Sequence, residues 1–108
     1  MKLRIQGNSL RFRLSEQEVQ QFGETGRVEE AVAFGLGPEQ TLHYVLALRE
    51  AVAAISVEFR GKAIMVYIPE SAAAAWTSNS DTALSGVVDN GTAQGLKILI
   101  EKDQDCRH

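Results

Sequence analysis

Apolar residues alternate with polar ones through the first fourteen residues, at Leu3, Ile5, Leu10, Phe12 and Leu14, on either side of Gly7. Period-two alternation around a glycine turn predicts a β-hairpin with one buried face. Ser15-Glu16-Gln17-Glu18 has the form of a capping box, in which the serine hydroxyl and the glutamate carboxylate each satisfy a free backbone N–H. A short helix is therefore predicted from Ser15, with Leu14 and Val19 as a hydrophobic staple, Phe22 on its buried stripe, and Gly23 to Gly26 as its stop. Arg27 to Phe34 reads as a half-exposed strand and Gly35-Leu36-Gly37-Pro38-Glu39 as a breaker. Leu42, Tyr44, Leu46 and Leu48 then return at period two, predicting a strand over Thr41 to Leu48. Leu46 to Ala54 is also rich in helix formers, which leaves a helical connector open.

The same plan recurs 54 positions later without a gap. Val57, Phe59, Ile64, Val66 and Ile68 alternate around Gly61-Lys62, and Pro69 introduces an alanine-rich helix that carries Trp76 where the first half carries Phe22. Thr77 to Asp81 should end that helix. Thr82 to Val88 and Leu96 to Glu101 read as strands joined by a hairpin turn at Asp89-Asn90-Gly91-Thr92, and Lys102 to His108 as a frayed tail. Only five of the 54 aligned pairs are identical, so the repeat rests on matched turns, helix starts and apolar positions. A unit of this size cannot bury two hairpins and a helix alone. The expected fold is α+β, mostly antiparallel with two short helices. It is a tandem ββαββ repeat, residues 1–54 and 55–108 of one domain, packed about a pseudo-two-fold axis as a single-chain, swapped-hairpin-like pseudo-dimer with Phe22 and Trp76 in a shared core.

Composition narrows the functional classes. With 44% hydrophobic residues among 108 the chain suits one modest core, and no apolar run approaches eighteen residues. A cytoplasmic location is expected, and the lone Cys106 cannot form an internal disulfide. The net charge of -3 argues against indiscriminate binding to nucleic acid or anionic membranes, but not against a local basic patch.

Several short motifs carry family resemblances. Leu3-Arg4-Ile5-Gln6-Gly7-Asn8-Ser9 with Arg13-Leu14-Ser15 resembles the opening of MazE-type antitoxins. Val66-Tyr67-Ile68-Pro69-Glu70 with Leu96 to Lys102 resembles the helix start and closing strand of the AbrB family. Those proteins are swapped-hairpin homodimers that bind DNA, so the likeness implies such a fold and DNA contacts from Arg4 and Arg13. The sequence departs from the antitoxin pattern at Ile5, where that pattern has a basic residue, and at Ser15, where it has proline. Nearly the whole chain is also similar to an uncharacterised bacterial family that opens Met-Lys-Leu-Arg-Ile-x-Gly-Asn-Ser and closes near Glu101, Lys102, Asp103 and Cys106; that similarity implies no activity.

Alternation puts Lys2, Arg4, Arg11 and Arg13 together on the outer face of the first hairpin, with no acidic residue before Leu14. Four cations on one face can hold phosphates. The plainer alternative is that they solubilise an exposed strand face and pair with Glu29 and Glu30. The second hairpin presents Glu58, Arg60, Met65 and Tyr67 instead, and a methionine beside an aromatic suits a protein-docking surface. Catalytic chemistry has little to stand on. His43 lies in a predicted strand with no nucleophile near it in sequence, and Asp103, Asp105, Cys106 and His108 crowd a terminus without a second ligand cluster. No enzymatic activity, metal or cofactor is expected. The leading expectation is a binding protein of transcription-regulator or antitoxin type contacting DNA through Lys2, Arg4, Arg11 and Arg13. The other is a protein-interaction module docking a partner through Met65 and Tyr67.

Overall fold

The computed structural model describes residues 1–50, 52–78 and 83–103. Along the chain run β1 (Lys2–Ile5), β2 (Ser9–Leu14), α1 (Glu16–Thr25), β3 (Arg27–Ala33), a 3-10 turn at Pro38–Gln40, β4 (Thr41–Arg49), β5 (Ser56–Arg60), β6 (Ala63–Pro69), α2 (Glu70–Ser78), β7 (Ala83–Val88) and β8 (Leu96–Lys102). The order is strand, strand, helix, strand, strand, twice over, in an α+β architecture. The stretch from Leu46 stays in β4 as far as Arg49, where its pairing to β3 and β6 outweighs the helix propensity of its residues.

Each four-stranded sheet takes one hairpin from each half. The first has the order β1-β2-β8-β7 and the second β3-β4-β6-β5. The outer pairings are antiparallel and the central one, β2 with β8 or β4 with β6, is parallel. The repeat extends to register. Leu10 faces Ile98 and Leu14 faces Lys102 in the first sheet; 54 residues away, Ile64 faces Tyr44 and Ile68 faces Leu48 in the second.

The expectation of a gapless repeat fails at one strand. Val28 pairs with Leu46, but Ile100 takes Leu84 as its partner, two residues beyond the position the offset of 54 demands. A slip of two is the side-chain period of a strand, so Leu84, Gly86 and Val88 keep the inward orientation that a slip of one would reverse. Of the expected helix terminator Thr77 to Asp81, Thr77 and Ser78 still belong to the second helix; residues 79 to 81 and Thr82, expected in this strand, lie outside the described residues. The turn at Asp89 also differs from a tight hairpin. Seven residues link β7 to β8, with the Asp89 carboxylate accepting from the Gly91 N–H (3.0 Å) and the Asn90 side-chain oxygen from the Thr92 N–H (3.1 Å).

The inner faces of both sheets and both helices close around one core of Leu10, Phe12, Leu14, Phe22, Val28, Leu46, Val66, Ile68, Ala73, Trp76, Ile98 and Ile100. Phe22 and Trp76 meet edge to face, centroids 6.3 Å apart at 72°, the geometry that aromatic quadrupoles favour. Ile5 departs from its expected burial and is 59% exposed, as is its counterpart Phe59 at 72%. Both sit at hairpin tips beyond the reach of the helices.

Helix α1 starts as the capping box requires. The Ser15 side chain accepts from the Glu18 N–H (3.2 Å) and Glu18 accepts from the Ser15 N–H (2.9 Å). Gly23 does not stop it. The helix continues to Thr25 and is capped by Gly26 at φ +76°, whose N–H donates to the Phe22 carbonyl, so only the second glycine supplies the left-handed cap. Helix α2 starts at Glu70, which leaves Pro69 as the last residue of β6 rather than inside the helix. The tail is firmer than expected at its start: Lys102 belongs to β8 and the Asp103 N–H donates to the Leu14 carbonyl (2.7 Å). Residues 104 to 108 are not described.

Candidate functional site

The outer face of the first sheet is built from alternate positions of four strands. Residues paired across strands share a face, so Lys2 stands opposite Arg13 and Arg4 opposite Arg11. These two rungs are separated by one strand repeat, about 6.7 Å. Parallel pairing then sets Arg13 beside Glu101, Arg11 beside Leu99 and Ser9 beside Lys97. Beyond them β7 contributes Ala83, Ser85 and Val87. Among the described residues the face therefore carries Lys2, Arg4, Arg11, Arg13 and Lys97 against one carboxylate, Glu101. Lys2, Leu3, Arg4, Arg11 and Arg13 line a shallow concavity of about 130 Å³.

Glu101 engages two of these five cations. Its Oε1 accepts from Arg11 Nε at 2.7 Å and lies 3.5 Å from an Arg13 guanidinium nitrogen. The Arg11 hydrogen bond, aided by the nearby Arg13 charge, holds the Glu101 carboxyl below the ordinary carboxylate range against a smaller desolvation effect. Among the described residues, Lys2, Arg4 and Lys97 form no ion pair, and all three are exposed. Pairing of the basic residues with Glu29 and Glu30, one sequence expectation, does not occur. Glu29 instead lies by Arg27 (3.2 Å) and His43 (3.6 Å), and Glu30 meets the amino group of Met1 (3.1 Å), which Glu18 also contacts.

Sequence reasoning missed Glu101 and Lys97, which belong to a strand more than eighty residues from the hairpin. The signal was available. Alternation in Leu96 to Lys102 places Lys97, Leu99 and Glu101 on one face, and the exchange of hairpins places that face beside β2.

The second sheet shows what the same backbone does with other side chains. At the positions equivalent to Lys2, Arg4, Arg11, Arg13 and Lys97 stand Ser56, Glu58, Met65, Tyr67 and His43. Here the charges satisfy one another. The Arg49 guanidinium stacks 3.5 Å from the Tyr67 ring centroid, the Tyr67 hydroxyl donates to Glu58 (3.2 Å), and Arg60 lies 3.4 Å from Glu58. Met65 and Tyr67 are each half-buried in this arrangement, and Val45 beneath them is buried although it faces away from the core.

His43 and Glu29 stand on the open face of that sheet, each about two-fifths exposed, where nothing excludes water from a reacting group. Among the described residues no group of three His, Cys, Asp or Glu side chains could hold a metal ion; Asp105, Cys106 and His108 lie outside them. No helix among the described residues is long and apolar enough to cross a membrane.

No curated protein and no solved structure matches the chain. A family model does match, over residues 1–108, with the description "Family of unknown function (DUF7009)". The similarity to an uncharacterised family expected from the sequence thus has a definite counterpart, and the chain belongs to the DUF7009 family of unknown function.

Proposed function

We propose that the protein is a non-enzymatic binding protein of transcription-regulator type, which holds the phosphate backbone of DNA on the outer face of its first sheet. The observation that carries this reading is the pair of like-charge rungs, Lys2 opposite Arg13 and Arg4 opposite Arg11. Like charges directly opposite on neighbouring strands destabilise a sheet, so fold stability alone does not account for them. Solubility does not need them either: the equivalent face of the second sheet is solvated with its charges paired internally. Two rungs plus Lys97 make a face of five cations in a chain of net charge -3, and phosphate is the group such a face recognises. Because its pseudo-symmetric counterpart lacks the basic residues, one chain offers one such face and engages a duplex without two-fold symmetry. Arginine and lysine contacts to phosphate position a protein without reading sequence.

Four phosphate contacts give a slope of log K against log salt of about -3.6. Fluorescence anisotropy of a labelled duplex across a salt series measures it, and Lys2→Ala with Arg4→Ala should reduce the slope by about 2. Salt-indifferent binding, or no duplex binding at low salt, removes the proposal. The second reading, docking of a protein partner through Met65 and Tyr67, has weaker support, because Arg49 and Glu58 already occupy the Tyr67 ring and hydroxyl.

A further inference from the structure

The loop between β7 and β8 holds more chemistry than a turn requires. Asp89-Asn90-Gly91-Thr92 sets an asparagine directly before a glycine, the order in which a backbone nitrogen meets least obstruction on its way to the preceding side-chain amide. A bond from the Gly91 nitrogen to the Asn90 Cγ would close a five-membered imide. Hydrogen bonds surround both reacting atoms. The Gly91 N–H donates to the Asp89 carboxylate at 3.0 Å. The Asn90 Oδ1 accepts twice from Thr92, from its N–H at 3.1 Å and from its hydroxyl at 2.6 Å. A backbone N–H can only donate, so the first of these bonds fixes which atom of the Asn90 amide is the oxygen. The Thr92 hydroxyl is oriented in turn by the Gly95 N–H, which donates to its oxygen at 3.1 Å and leaves the hydroxyl proton for Asn90.

Each contact has a counterpart in acyl transfer. A carboxylate accepting the N–H of the attacking nitrogen stands where a general base stands. Two donors on the carbonyl oxygen under attack stand where an oxyanion hole stands. Asn90 and Gly91 are exposed, and a Cβ added at Gly91 (φ +85°) would meet nothing within 4 Å, so water reaches the site freely. We infer that Asn90 is a self-modifying site, whose deamidation the folded loop itself promotes. The Gly91 nitrogen attacks Cγ and gives its proton to Asp89, while the charge that builds on Oδ1 is held by the two Thr92 donors. Collapse breaks the Cγ–Nδ2 bond, Asp89 returns the proton to the leaving nitrogen, and ammonia departs. Water then opens the succinimide at one or the other carbonyl, which leaves an aspartyl or an isoaspartyl residue at position 90. Either product adds a negative charge beside Asp89, and the isoaspartyl form also lengthens the backbone of the β7–β8 connection. The equivalent loop of the first half, Gly35-Leu36-Gly37-Pro38-Glu39-Gln40, has no asparagine. The site does not depend on the DNA-binding reading.

Incubation of the full chain at neutral pH, followed by peptide mapping in the mass spectrometer and isoaspartyl methyltransferase labelling, tests the inference. Conversion at position 90 should run faster in the folded chain than in the same chain unfolded in urea, because only the fold holds Asp89 and Thr92 in place. Asp89→Ala and Thr92→Val should each slow the folded chain about tenfold or more and leave the rate in urea nearly unchanged. Thr92→Ser keeps both donors and should restore the parent rate. Circular dichroism verifies that each variant is folded, as expected for changes in an exposed loop. A folded chain that converts no faster than the unfolded one overturns the inference. So do Asp89→Ala or Thr92→Val variants that convert as fast as the parent, or faster, since the loop would then merely restrain the asparagine.

Discussion

Replacing Trp76 by alanine tests the shared core most directly. The side chain is 1% exposed and packs edge to face on Phe22, so its removal strips one aromatic from the junction of the two helices. A buried tryptophan hides about 150–250 Å², which at roughly 25 cal/mol per Å² sets a ceiling near 4–6 kcal/mol. Denatured chains already bury part of that area, and measured large-to-alanine deletions cost about 3–5 kcal/mol. A domain this size is stable by only about 5–15 kcal/mol, so the variant should sit near the edge of unfolding. Trp76 is the sole tryptophan; urea denaturation must therefore be followed by far-ultraviolet circular dichroism rather than fluorescence. Trp76→Phe is the informative companion. The indole Nε1 is buried without a hydrogen-bond partner among the described residues, and an unmet buried donor costs about 1–3 kcal/mol. Phenylalanine removes that donor while retaining a ring, so its net cost should stay below about 1.5 kcal/mol. A loss below about 1 kcal/mol for Trp76→Ala, or equal losses for both variants, would refute this packing.

Two glycines of one helix should respond in opposite directions to alanine. Gly23→Ala should stabilise by about 0.5–1 kcal/mol, because an added Cβ meets Thr77 at an ordinary 3.7 Å; Gly26→Ala should destabilise by about 1–2 kcal/mol, given its φ of +76° and a contact of 3.3 Å to Leu48. The depressed pKa of Glu101 makes part of the stability pH-dependent: this contribution is complete above the unfolded carboxylate pKa and is lost as pH falls through the lower folded value. Denaturation midpoints measured over acidic pH should show that loss, and Glu101→Gln should flatten it. The same substitution releases Arg11 and Arg13 from their internal anion and should tighten duplex binding at fixed salt.

Much of the fold was legible because its determinants are local. Ser15 and Glu18 specify the start of α1 within four residues, and the alternation of Leu10, Phe12 and Leu14 declares an inner face wherever the hairpin is placed. Gly23 and Gly26 mark the limit of such reasoning. Both read as helix stops, and only the φ imposed by the following strand separates the helical residue from the cap. The two-residue slip of β7 was hidden for a related reason, since a displacement by one full side-chain period leaves the apolar pattern unchanged. The candidate site was half legible. Lys2, Arg4, Arg11 and Arg13 follow from alternation, whereas Lys97 and Glu101 join them through a parallel pairing that no contiguous stretch of sequence encodes.

The exchange of hairpins also has a consequence for synthesis. Strand β2 is completed at Leu14, but its neighbour β8 ends at Lys102, so a ribosome adding about 5–20 residues per second makes the first hairpin wait roughly 4–18 s for its partner. During that interval Leu10, Phe12 and Leu14 have no sheet to close against, and the edge of β2 is open to any passing strand. Contacts this distant in sequence also slow folding after release. The first hairpin is thus covered only after a strand made much later, which makes the nascent chain, rather than the finished protein, the form most exposed to chaperones and to mispairing.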